Sequence, residues 1–343
     1  MDIRVFLNAV GSMPDSVETI FFGGMGEPLI NRDILAMVEF AANKGVRVSL
    51  QTNGTLLTSE MSAALLDRGL DMLWVSIDSF DEDMYETIRK NSGLKLIRRN
   101  IENFNAERIR RQNTAKQHGN GSSAELGLAF VAMKSNVRQL GALGRFADEH
   151  GVSRINISNV FPTDSFSVNE SLFSRTLALD LPAKGLWDRR ITLTAMDIHL
   201  ESVSDSISAL FGTGIGDGCA CGKMEARLQR YCRFVNDGKA FVRHDGEVLP
   251  CMALLHSGVT YLGDKRRIVH SHSFGNAGEQ SLSDIWGSGE YAAFRKRVME
   301  FDFSPCVQCG GCDNRDENLD DCYGNIKPTC GACLWSEGLL SCP

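Results

Sequence analysis

The first 218 residues of this 343-residue chain contain no cysteine, although the whole sequence has eleven. The sequence also lacks a long apolar run, since no stretch reaches the roughly 18 apolar residues that a membrane-spanning helix requires. Its first residues lack the basic segment and the apolar stretch of an export signal. These absences predict a soluble, cytoplasmic protein without membrane contacts, in a compartment that keeps thiols reduced.

The chain has no excess of positive charge, because its formal net charge is −7. Nonspecific nucleic-acid binding depends on a positive surface that neutralises phosphates, so the composition argues against a nucleic-acid partner. The basic run from Arg108 to Arg111 lies on a predicted helix, where such runs are typical of a solvated face. Few prolines and no low-complexity tract are typical of a globular protein.

The cysteine-free part contains alternating short apolar strands and amphipathic helices up to about residue 159. Five strands are predicted, in VETIFFGG, GVRVSLQTNG, LDMLWVSIDS, ELGLAFVAMKSN and VSRINISNV. Helices are predicted at 31–43, 58–68, 81–90, 94–110 and 137–150. Apolar strands joined by crossover helices form a parallel sheet covered by helices, so the predicted fold class is α/β. Ligands of such folds bind at the carboxyl ends of the strands.

Chemically distinctive residues follow the first three predicted strands. The first ends in GGMGEP, from Gly23 to Pro28, a turn that exposes backbone groups to a ligand. A carboxylate there suits an ammonium group better than a phosphate, although a tight turn capped by a glutamate would look the same. The second strand ends in QTNG with Asn53, and the third in SIDS with Ser76 and Asp78. These side chains suit either a ribose or a helix cap.

The order GGMGEP, TNG, then VSIDS followed by YETIRK resembles the S-adenosylmethionine-binding half of the radical SAM superfamily. The resemblance covers about residues 1–165 and implies a partial (βα)6 barrel that cleaves S-adenosylmethionine to a 5′-deoxyadenosyl radical. The site residues that it implies are Gly24, Met25, Gly26 and Glu27 for the methionine amino group, Asn53, Ser76 and Asp78 for the ribose or methionyl moiety, Arg89 for the carboxylate, and Asn159 and Val160 for the adenine.

One feature of the superfamily is absent from the sequence. The superfamily holds its catalytic [4Fe–4S] cluster with a C-x3-C-x2-C motif after the first barrel strand, whereas this chain has no cysteine before Cys219. The resemblance aligns the first residues with the helix after that loop, so the first strand and the loop are expected to be missing. An N-terminally truncated product and a relative that has lost the chemistry both fit. As written, the chain is expected not to generate the radical by the superfamily's route.

The cysteines of the C-terminal third admit three interpretations: disulfides, a zinc site or iron–sulfur clusters. They are Cys219, Cys221, Cys232, Cys251, Cys306, Cys309, Cys312, Cys322, Cys330, Cys333 and Cys342. A reducing compartment disfavours disulfides. The spacing Cys309-x2-Cys312-x17-Cys330-x2-Cys333 is typical of zinc. In contrast, Cys306-x2-Cys309-x2-Cys312 resembles the cysteine run of iron–sulfur ferredoxins.

The layout also resembles the SPASM domain, a cluster-binding extension of radical SAM enzymes. Cys232, Gly246 and Cys251 fit its opening C-x9–15-G-x4-C, and a hairpin is predicted between the two cysteines. Cys306-x2-Cys309 continues the family pattern, and the later cysteines depart from it. The resemblance implies two auxiliary [4Fe–4S] clusters. We expect the first on Cys232 and Cys251, with Cys219 or Cys221 and one later thiolate, and the second on Cys306, Cys309 and a later pair.

These patterns predict a radical SAM partial barrel at 1–165, a connecting region at 166–218 and a SPASM-type domain at 219–343. The ending DCYGNIKPTCGACLWSEGLLSCP is similar to radical SAM/SPASM maturases associated with tungsten-containing aldehyde oxidoreductases. The expected function is modification of a peptide or an enzyme cofactor, with auxiliary clusters for electron transfer and a reductant such as ferredoxin or flavodoxin as partner. A non-catalytic iron–sulfur electron carrier and a zinc-stabilised scaffold are the alternatives.

Overall fold

The computed structural model describes residues 1–89, 93–117, 124–173, 191–197, 200–212, 231–263, 265–307, 309 and 312–343. Its largest element is a six-stranded sheet in the order β1-β2-β3-β4-β5-β6, in which every pair of neighbours is parallel. The strands are β1 Thr19–Phe22, β2 Arg47–Thr52, β3 Met72–Ser76, β4 Glu125–Ala132, β5 Arg154–Asn159 and β6 Ile191–Leu193. The predicted α/β class with a parallel sheet is confirmed.

Eleven α-helices lie in the described residues. They are α1 Ile3–Gly11, α2 Ile34–Asn43, α3 Ser59–Asp67, α4 Glu82–Ile88, α5 Leu94–Gln117, α6 Leu140–Glu149, α7 Ser165–Glu170, α8 Glu201–Gly212, α9 Arg233–Asn236, α10 Leu282–Gly287 and α11 Gly289–Glu300. The side chains of Asp2, Thr58 and Asp81 accept backbone hydrogen bonds at the starts of α1, α3 and α4, which fixes where these helices begin. Among the described helices, none has the length and apolar character to span a membrane.

The sheet has one apolar face and one polar face. Because the strands follow each other in space in sequence order, right-handed crossovers place the connecting helices on one side. The strand residues in the main core are Val48, Leu50, Leu73, Val75, Leu126, Leu128, Ile155 and Ile157. Side chains alternate between the two faces, so the other face carries Ser49, Gln51, Ser76, Asn156 and Ser158. We call this second face the polar face of the sheet.

The sheet continues beyond residue 165, where the barrel was predicted to end. β6 comes from the strand-like segment ITLTAMDI and pairs with β5 through Ile155 and Ile191. α8 then packs against α6. The sixth strand of the described sheet therefore lies beside β5. It is not the strand that the sequence comparison expects to be missing, because that strand would precede β1. In the described residues β1 pairs with β2 alone.

The part from residue 231 onward is built from short elements. β7 Phe241–Val242 and β8 Val248–Leu249 form the predicted hairpin. Gly246 in its turn has a φ of +93°, and a Cβ there would lie 2.3 Å from Asn276 Oδ1, so glycine is required. A second hairpin, β9 Gly258–Leu262 with β10 Lys265–Val269, has no counterpart among the predicted elements. Two helices, α10 and α11, follow this hairpin.

Two seams connect this part to the sheet. At the first, Asn8 of α1 donates to the carbonyl of Ala277, and Ser12 Oγ accepts from the backbone N–H of Leu282 at 2.9 Å. At the second, residues 338–341, which we call the C-terminal tail, lie against β5. Ser341 N–H donates to Ser158 Oγ at 3.1 Å and Ser341 Oγ donates to Asn156 Oδ1 at 3.0 Å. The tail therefore covers the polar face at β5.

Candidate functional site

The turn after β1 folds back onto the end of β2 through Glu27. Gly24 has a φ of +119°, which favours glycine. The Glu27 carboxylate accepts hydrogen bonds from Thr52 Oγ1 at 2.7 Å, the Asn53 backbone N–H at 2.7 Å and the Leu29 backbone N–H at 3.1 Å. It therefore acts as the cap that the sequence also suggested. Because an ionised carboxylate can accept about four hydrogen bonds, it has room for a further donor.

Met25 and Gly26 lie at the open side of this turn. Met25 is 70% exposed, and no atom lies within 4 Å of the position of a Cβ at Gly26. On the polar face nearby, Gln51 Nε2 donates to Ser76 Oγ at 3.1 Å, which orients the hydroxyl at the end of β3. The turn and the strand ends thus present backbone and side-chain polar groups to the same region.

A buried ion pair follows β3. Arg89 Nε donates to Asp78 Oδ2 at 2.7 Å, and Asp78 Oδ1 accepts from the backbone N–H of Val131 at 2.9 Å. Burial by itself lowers the pKa of Arg89, but the negative charge of Asp78, its hydrogen bond to Arg89 and the negative charge of Glu27 outweigh it, so that the pKa lies above its ordinary value. Glu27, Asp78 and Arg89 therefore form one charged group at the carboxyl ends of β1 and β3.

Asn159 is 2% exposed at the end of β5 and is held mainly by its own amide. Its Nδ2 donates to the carbonyls of Ala195 and Leu339, each at 2.8 Å, and its backbone N–H donates to Thr194 Oγ1 at 3.1 Å. Among the described residues, its buried Oδ1 accepts no hydrogen bond. A buried carbonyl without a donor is costly. Val160, next in the chain, is partly exposed.

The structure thus places the predicted residues in two groups. Glu27, Asn53, Ser76, Asp78 and Arg89 lie together at the carboxyl ends of β1 to β3, linked by the contacts above. Asn159 and Val160 lie two strands further along the sheet. Gln51, Asn156 and Ser158 lie on the same face of the sheet and were not predicted as site residues, although their alternation with apolar residues on β2 and β5 was visible in the sequence. The predicted ligand contacts of both groups stay predictions.

Four thiols from distant parts of the chain converge in the C-terminal part. Cys232 and Cys251, which flank the β7–β8 hairpin, share a core with Cys330. Cys333 completes the group, since each of the four thiols lies within electrostatic reach of the other three. We call Cys232, Cys251, Cys330 and Cys333 the thiol cluster. Its members are free cysteines.

Burial keeps these thiols protonated in the absence of a cation. Burial, together with the Cys333 thiol, raises the pKa of Cys232 to about 11. Burial also raises the pKa of Cys251 and Cys330 well above the ordinary value, with neighbouring thiols adding to the shift. A metal cofactor supplies the positive charge that makes thiolates stable in such a site, and its binding releases their protons.

Cys306 lies beside the thiol cluster. Its Sγ is 3.0 Å from Ser304 Oγ. A Cβ at Gly331, between Cys330 and Cys333, would lie 2.1 Å from the Ser304 carbonyl oxygen and 3.5 Å from the Cys306 Sγ. The two loops can therefore approach this closely only because residue 331 has no side chain.

The remaining cysteines lie elsewhere. Cys309, Cys312 and Cys322 are exposed, and Cys342 is partly buried. Burial raises the pKa of Cys342, and the indole N–H of Trp335 partly offsets that shift. The predicted ligands Cys219 and Cys221 lie outside the described residues.

The donor set fits an iron–sulfur cube better than a single ion. No three His, Cys, Asp or Glu side chains within the described residues are close enough to bind one metal ion. A tetrahedral zinc needs four ligands around one centre, whereas a cube attaches each thiolate to a different iron and so spaces the sulfurs further apart. The thiol cluster has the number of thiolates that a cube with four cysteine ligands needs.

Two family models match the chain. Residues 1–116 match the radical SAM superfamily, and residues 232–313 match SPASM, an iron–sulfur cluster-binding domain. The chain therefore contains a radical SAM region and a SPASM domain. The family predicted from GGMGEP and from the cysteine spacing is confirmed, and the SPASM match makes iron–sulfur clusters its cofactors.

Proteins similar to this radical SAM/SPASM chain act on cofactors and peptides according to their names. A tungsten-containing aldehyde ferredoxin oxidoreductase cofactor-modifying protein from Pyrococcus furiosus is 28% identical over 348 residues, covering 100% of this chain and 89% of its own length. A PqqA peptide cyclase from Granulibacter bethesdensis is 23% identical over 87% of this chain and 67% of its own length. An Fe-coproporphyrin III synthase from Methanosarcina barkeri is 32% identical over 40% of this chain and 30% of its own length.

Solved structures share the fold of this radical SAM/SPASM chain. Streptococcus suis SuiB bound to S-adenosylmethionine superposes with a TM-score of 0.52 at 17% identity, covering 85% of this chain and 59% of that chain. This chain therefore spans less than two thirds of SuiB. A structure of anSMEcpe with bound AdoMet superposes with a TM-score of 0.51 at 13% identity, covering 98% and 85%. At these identities the likeness concerns the fold.

Proposed function

We propose that this protein is a radical SAM/SPASM maturase that modifies an enzyme cofactor. One observation carries the proposal: the cofactor-modifying protein of Pyrococcus furiosus matches the chain from end to end at 28% identity. When bound, S-adenosylmethionine and a reduced iron–sulfur cluster supply a 5′-deoxyadenosyl radical for hydrogen abstraction. By analogy with the relative, the substrate is the cofactor of a tungsten-containing aldehyde oxidoreductase. A peptide substrate is the variant that the PqqA peptide cyclase match supports.

The first group of site residues would hold S-adenosylmethionine. The Glu27 carboxylate has room for one more donor, and the adjoining turn from Gly24 to Gly26 exposes backbone groups that suit an ammonium group. Arg89 is already paired with Asp78, so a methionyl carboxylate would approach a guanidinium that is held in place. Asn159 Oδ1, buried without a donor, would accept from the adenine amine. This assignment keeps Asn53, Ser76 and Val160 as contacts.

The thiol cluster would hold the first auxiliary cluster. The mutual proximity of Cys232, Cys251, Cys330 and Cys333 supports a four-thiolate [4Fe–4S] site. The set differs from the one expected from the sequence, because two late thiols rather than one lie with Cys232 and Cys251. A second auxiliary cluster would draw on Cys306 and Cys309 with later thiolates. We propose electron transfer to or from the substrate as the role of these clusters, with a small iron–sulfur or flavin protein as the external reductant.

Iron analysis tests the cluster assignment. Replacing Cys251 by alanine removes one corner ligand, so we expect the iron content of anaerobically purified protein to fall by about four per chain. Met299→Ala, at an exposed side chain of α11 that neither proposed cluster uses, is the control and should keep all of the iron. Equal iron in the two variants would contradict the assignment. Protein that contains zinc and no iron would support the zinc-stabilised scaffold instead.

Cofactor chemistry tests the function. We expect a tungsten aldehyde oxidoreductase produced together with this protein to carry a cofactor whose mass differs from that made without it, as measured by mass spectrometry of the released cofactor. An unchanged cofactor, in cells where this protein is loaded with iron, would exclude the proposal. Cleavage of S-adenosylmethionine only in the presence of a peptide would favour the peptide variant instead.

A second candidate is an iron–sulfur electron carrier that uses the sheet as a docking surface. The observation that favours it is the absence of cysteine from residues 1–218, which leaves these 343 residues without the motif for the radical-forming cluster. The two candidates separate on one assay with a strong reductant and full iron loading. Formation of 5′-deoxyadenosine from S-adenosylmethionine by these 343 residues would support the maturase and would overturn the expectation, drawn from the missing motif, that they do not form the radical. Its absence would support the carrier.

A further inference from the structure

Arg267 is a buried arginine inside the cysteine-rich part. It lies on β10, where its neighbours Lys265 and Arg266 are exposed, while Arg267 itself is 6% exposed. Arginine stays charged in proteins, and a buried charge is costly unless an opposite charge or hydrogen bonds compensate it. The reason for burying this charge therefore has to lie in what surrounds it.

The Arg267 guanidinium is held by three backbone carbonyls. Nε donates to Arg315 at 3.0 Å, Nη1 to Ala332 at 3.3 Å and Nη2 to Glu317 at 3.2 Å. Ala332 lies between Cys330 and Cys333, so Nη1 of Arg267 is bound to the loop that carries these two members of the thiol cluster. Arg315 also donates to the carbonyl of Cys309 at 3.0 Å. The three carbonyls fix the orientation of Arg267 but contribute no full negative charge.

The groups around Arg267 that can become negatively charged are the thiols of cysteines. Its electrostatic neighbours are Cys333, Cys306 and Cys330, while Arg315 contributes a like charge. Within the described residues, no carboxylate forms a salt bridge with Arg267. A cofactor held by thiolates at this site would supply the negative charge that compensates the buried guanidinium.

We propose that Arg267 is a positioning residue that stabilises the added negative charge of a reduced iron–sulfur cluster and so sets its reduction potential. The proposal rests on the cluster site described above and adds a role for a residue that is not a ligand. When the cluster takes one electron from a low-potential donor, its net charge becomes more negative by one. A fixed cation nearby favours that reduced form and makes the reduction potential less negative.

Redox titration followed by electron paramagnetic resonance tests this role in the full-length, iron-loaded protein. We expect Arg267→Met to lower the ratio of reduced to oxidised cluster at a fixed potential by about tenfold, which is about 59 mV for a one-electron couple. Arg267→Lys keeps the charge and should restore most of the ratio. Arg266→Met removes the same charge from the exposed neighbour on β10 and should leave the ratio unchanged.

Iron content decides the outcome when a variant fails to load. Loss of iron in Arg267→Met with normal loading of Arg267→Lys supports the proposal, because it shows that the positive charge is required. Loss of iron in both variants, with normal loading of Arg266→Met, overturns the proposal. It would show that the hydrogen bonds of Arg267 are required for folding of the site and that its charge is not sufficient. An unchanged potential in fully loaded Arg267→Met also overturns it. Absence of iron from the unsubstituted protein would instead refute the proposed cluster site.

Discussion

Gly331 occupies the point where the Cys330–Cys333 loop passes closest to Ser304. A Cβ there would lie 2.1 Å from the Ser304 carbonyl oxygen, closer than any real contact of this kind. The neighbour is backbone, which cannot rotate away as a flexible side chain could. The residue between the two last members of the thiol cluster is therefore restricted by packing, although its φ is not in the left-handed region.

Replacing Gly331 by alanine should displace this loop. We expect the substitution to destabilise the folded protein by about 1–3 kcal/mol, the usual cost of overpacking, and to lower its iron content. Thermal unfolding and iron analysis measure the two effects. Gly289→Ala is the control, since no atom lies within 4 Å of its Cβ position. Normal iron loading of Gly331→Ala would show that the loop tolerates the side chain.

Residue types in the S-adenosylmethionine region were visible in the sequence, whereas their partners were not. Glu27 was predicted to face an ammonium group, but its carboxylate first accepts from Thr52, Asn53 and Leu29. Arg89 was predicted to pair with a ligand carboxylate, yet it lies on Asp78. Hydrogen-bond partners depend on distances across the sheet, which a linear sequence does not contain.

At the scale of secondary-structure elements, Glu125 links three parallel strands at their amino ends. Its carboxylate accepts from Arg47 of β2 at 3.1 Å and from Arg154 of β5 at 2.8 Å, while it belongs to β4 itself. A hydrogen bond from Arg154 is the main cause that lowers the pKa of Glu125, against the opposing effect of burial. The ion pairs thus connect the amino ends of β2, β4 and β5, at the end of the sheet opposite to the candidate site.

Glu125→Gln should reduce stability in a pH-dependent way. The folded-state pKa is lowered, so the carboxylate contributes stability above the ordinary glutamate pKa and loses it as the pH falls through the folded-state value. Because Arg47 and Arg154 are about half exposed, solvent screens these ion pairs, and we expect only about 0.5–1 kcal/mol near neutral pH. Urea unfolding at several pH values measures it, with Glu279→Gln, at an exposed carboxylate, as the control. A difference that persists undiminished in acid would contradict the ion-pair explanation.

The elements themselves were predicted unevenly. Strands β1 to β5 follow from their apolar runs, and the β7–β8 hairpin follows from its turn at Gly246. The β9–β10 hairpin was not predicted, because Lys265, Arg266 and Arg267 form a run of charged residues that is typical of a surface loop. In the structure Arg267 is nevertheless buried. Charge in the sequence conceals burial whenever the compensating groups come from another loop.

At the scale of the whole molecule, the C-terminal tail and α1 fasten the cysteine-rich part to the sheet. Asn159 is central to the tail seam, because its amide donates to both Ala195 and Leu339. Ala195 N–H in turn donates to the Gly338 carbonyl at 3.0 Å. The end of β5 is therefore shaped by residues nearly two hundred positions later in the chain.

Asn159→Ala should loosen this seam. Two buried carbonyls would lose their donor, so we expect a destabilisation of about 1–3 kcal/mol and faster amide hydrogen exchange in residues 338–341. Asn113→Ala, at an exposed position of α5, is the control and should change neither quantity. If exchange in the tail stayed as slow as in the unsubstituted protein, the amide of Asn159 would not be what holds it.

The sequence by itself determined the family, the parallel sheet and the presence of an iron–sulfur cluster-binding domain, because these follow from local apolar runs, from a glycine-rich turn and from cysteine spacing. Only the tertiary structure decided that Cys330 and Cys333 join Cys232 and Cys251, that Arg267 is buried among them, and that the tail covers β5. These are contacts between residues far apart in the chain. They are set by how the loops pack around one another, and spacing along the sequence does not encode that packing.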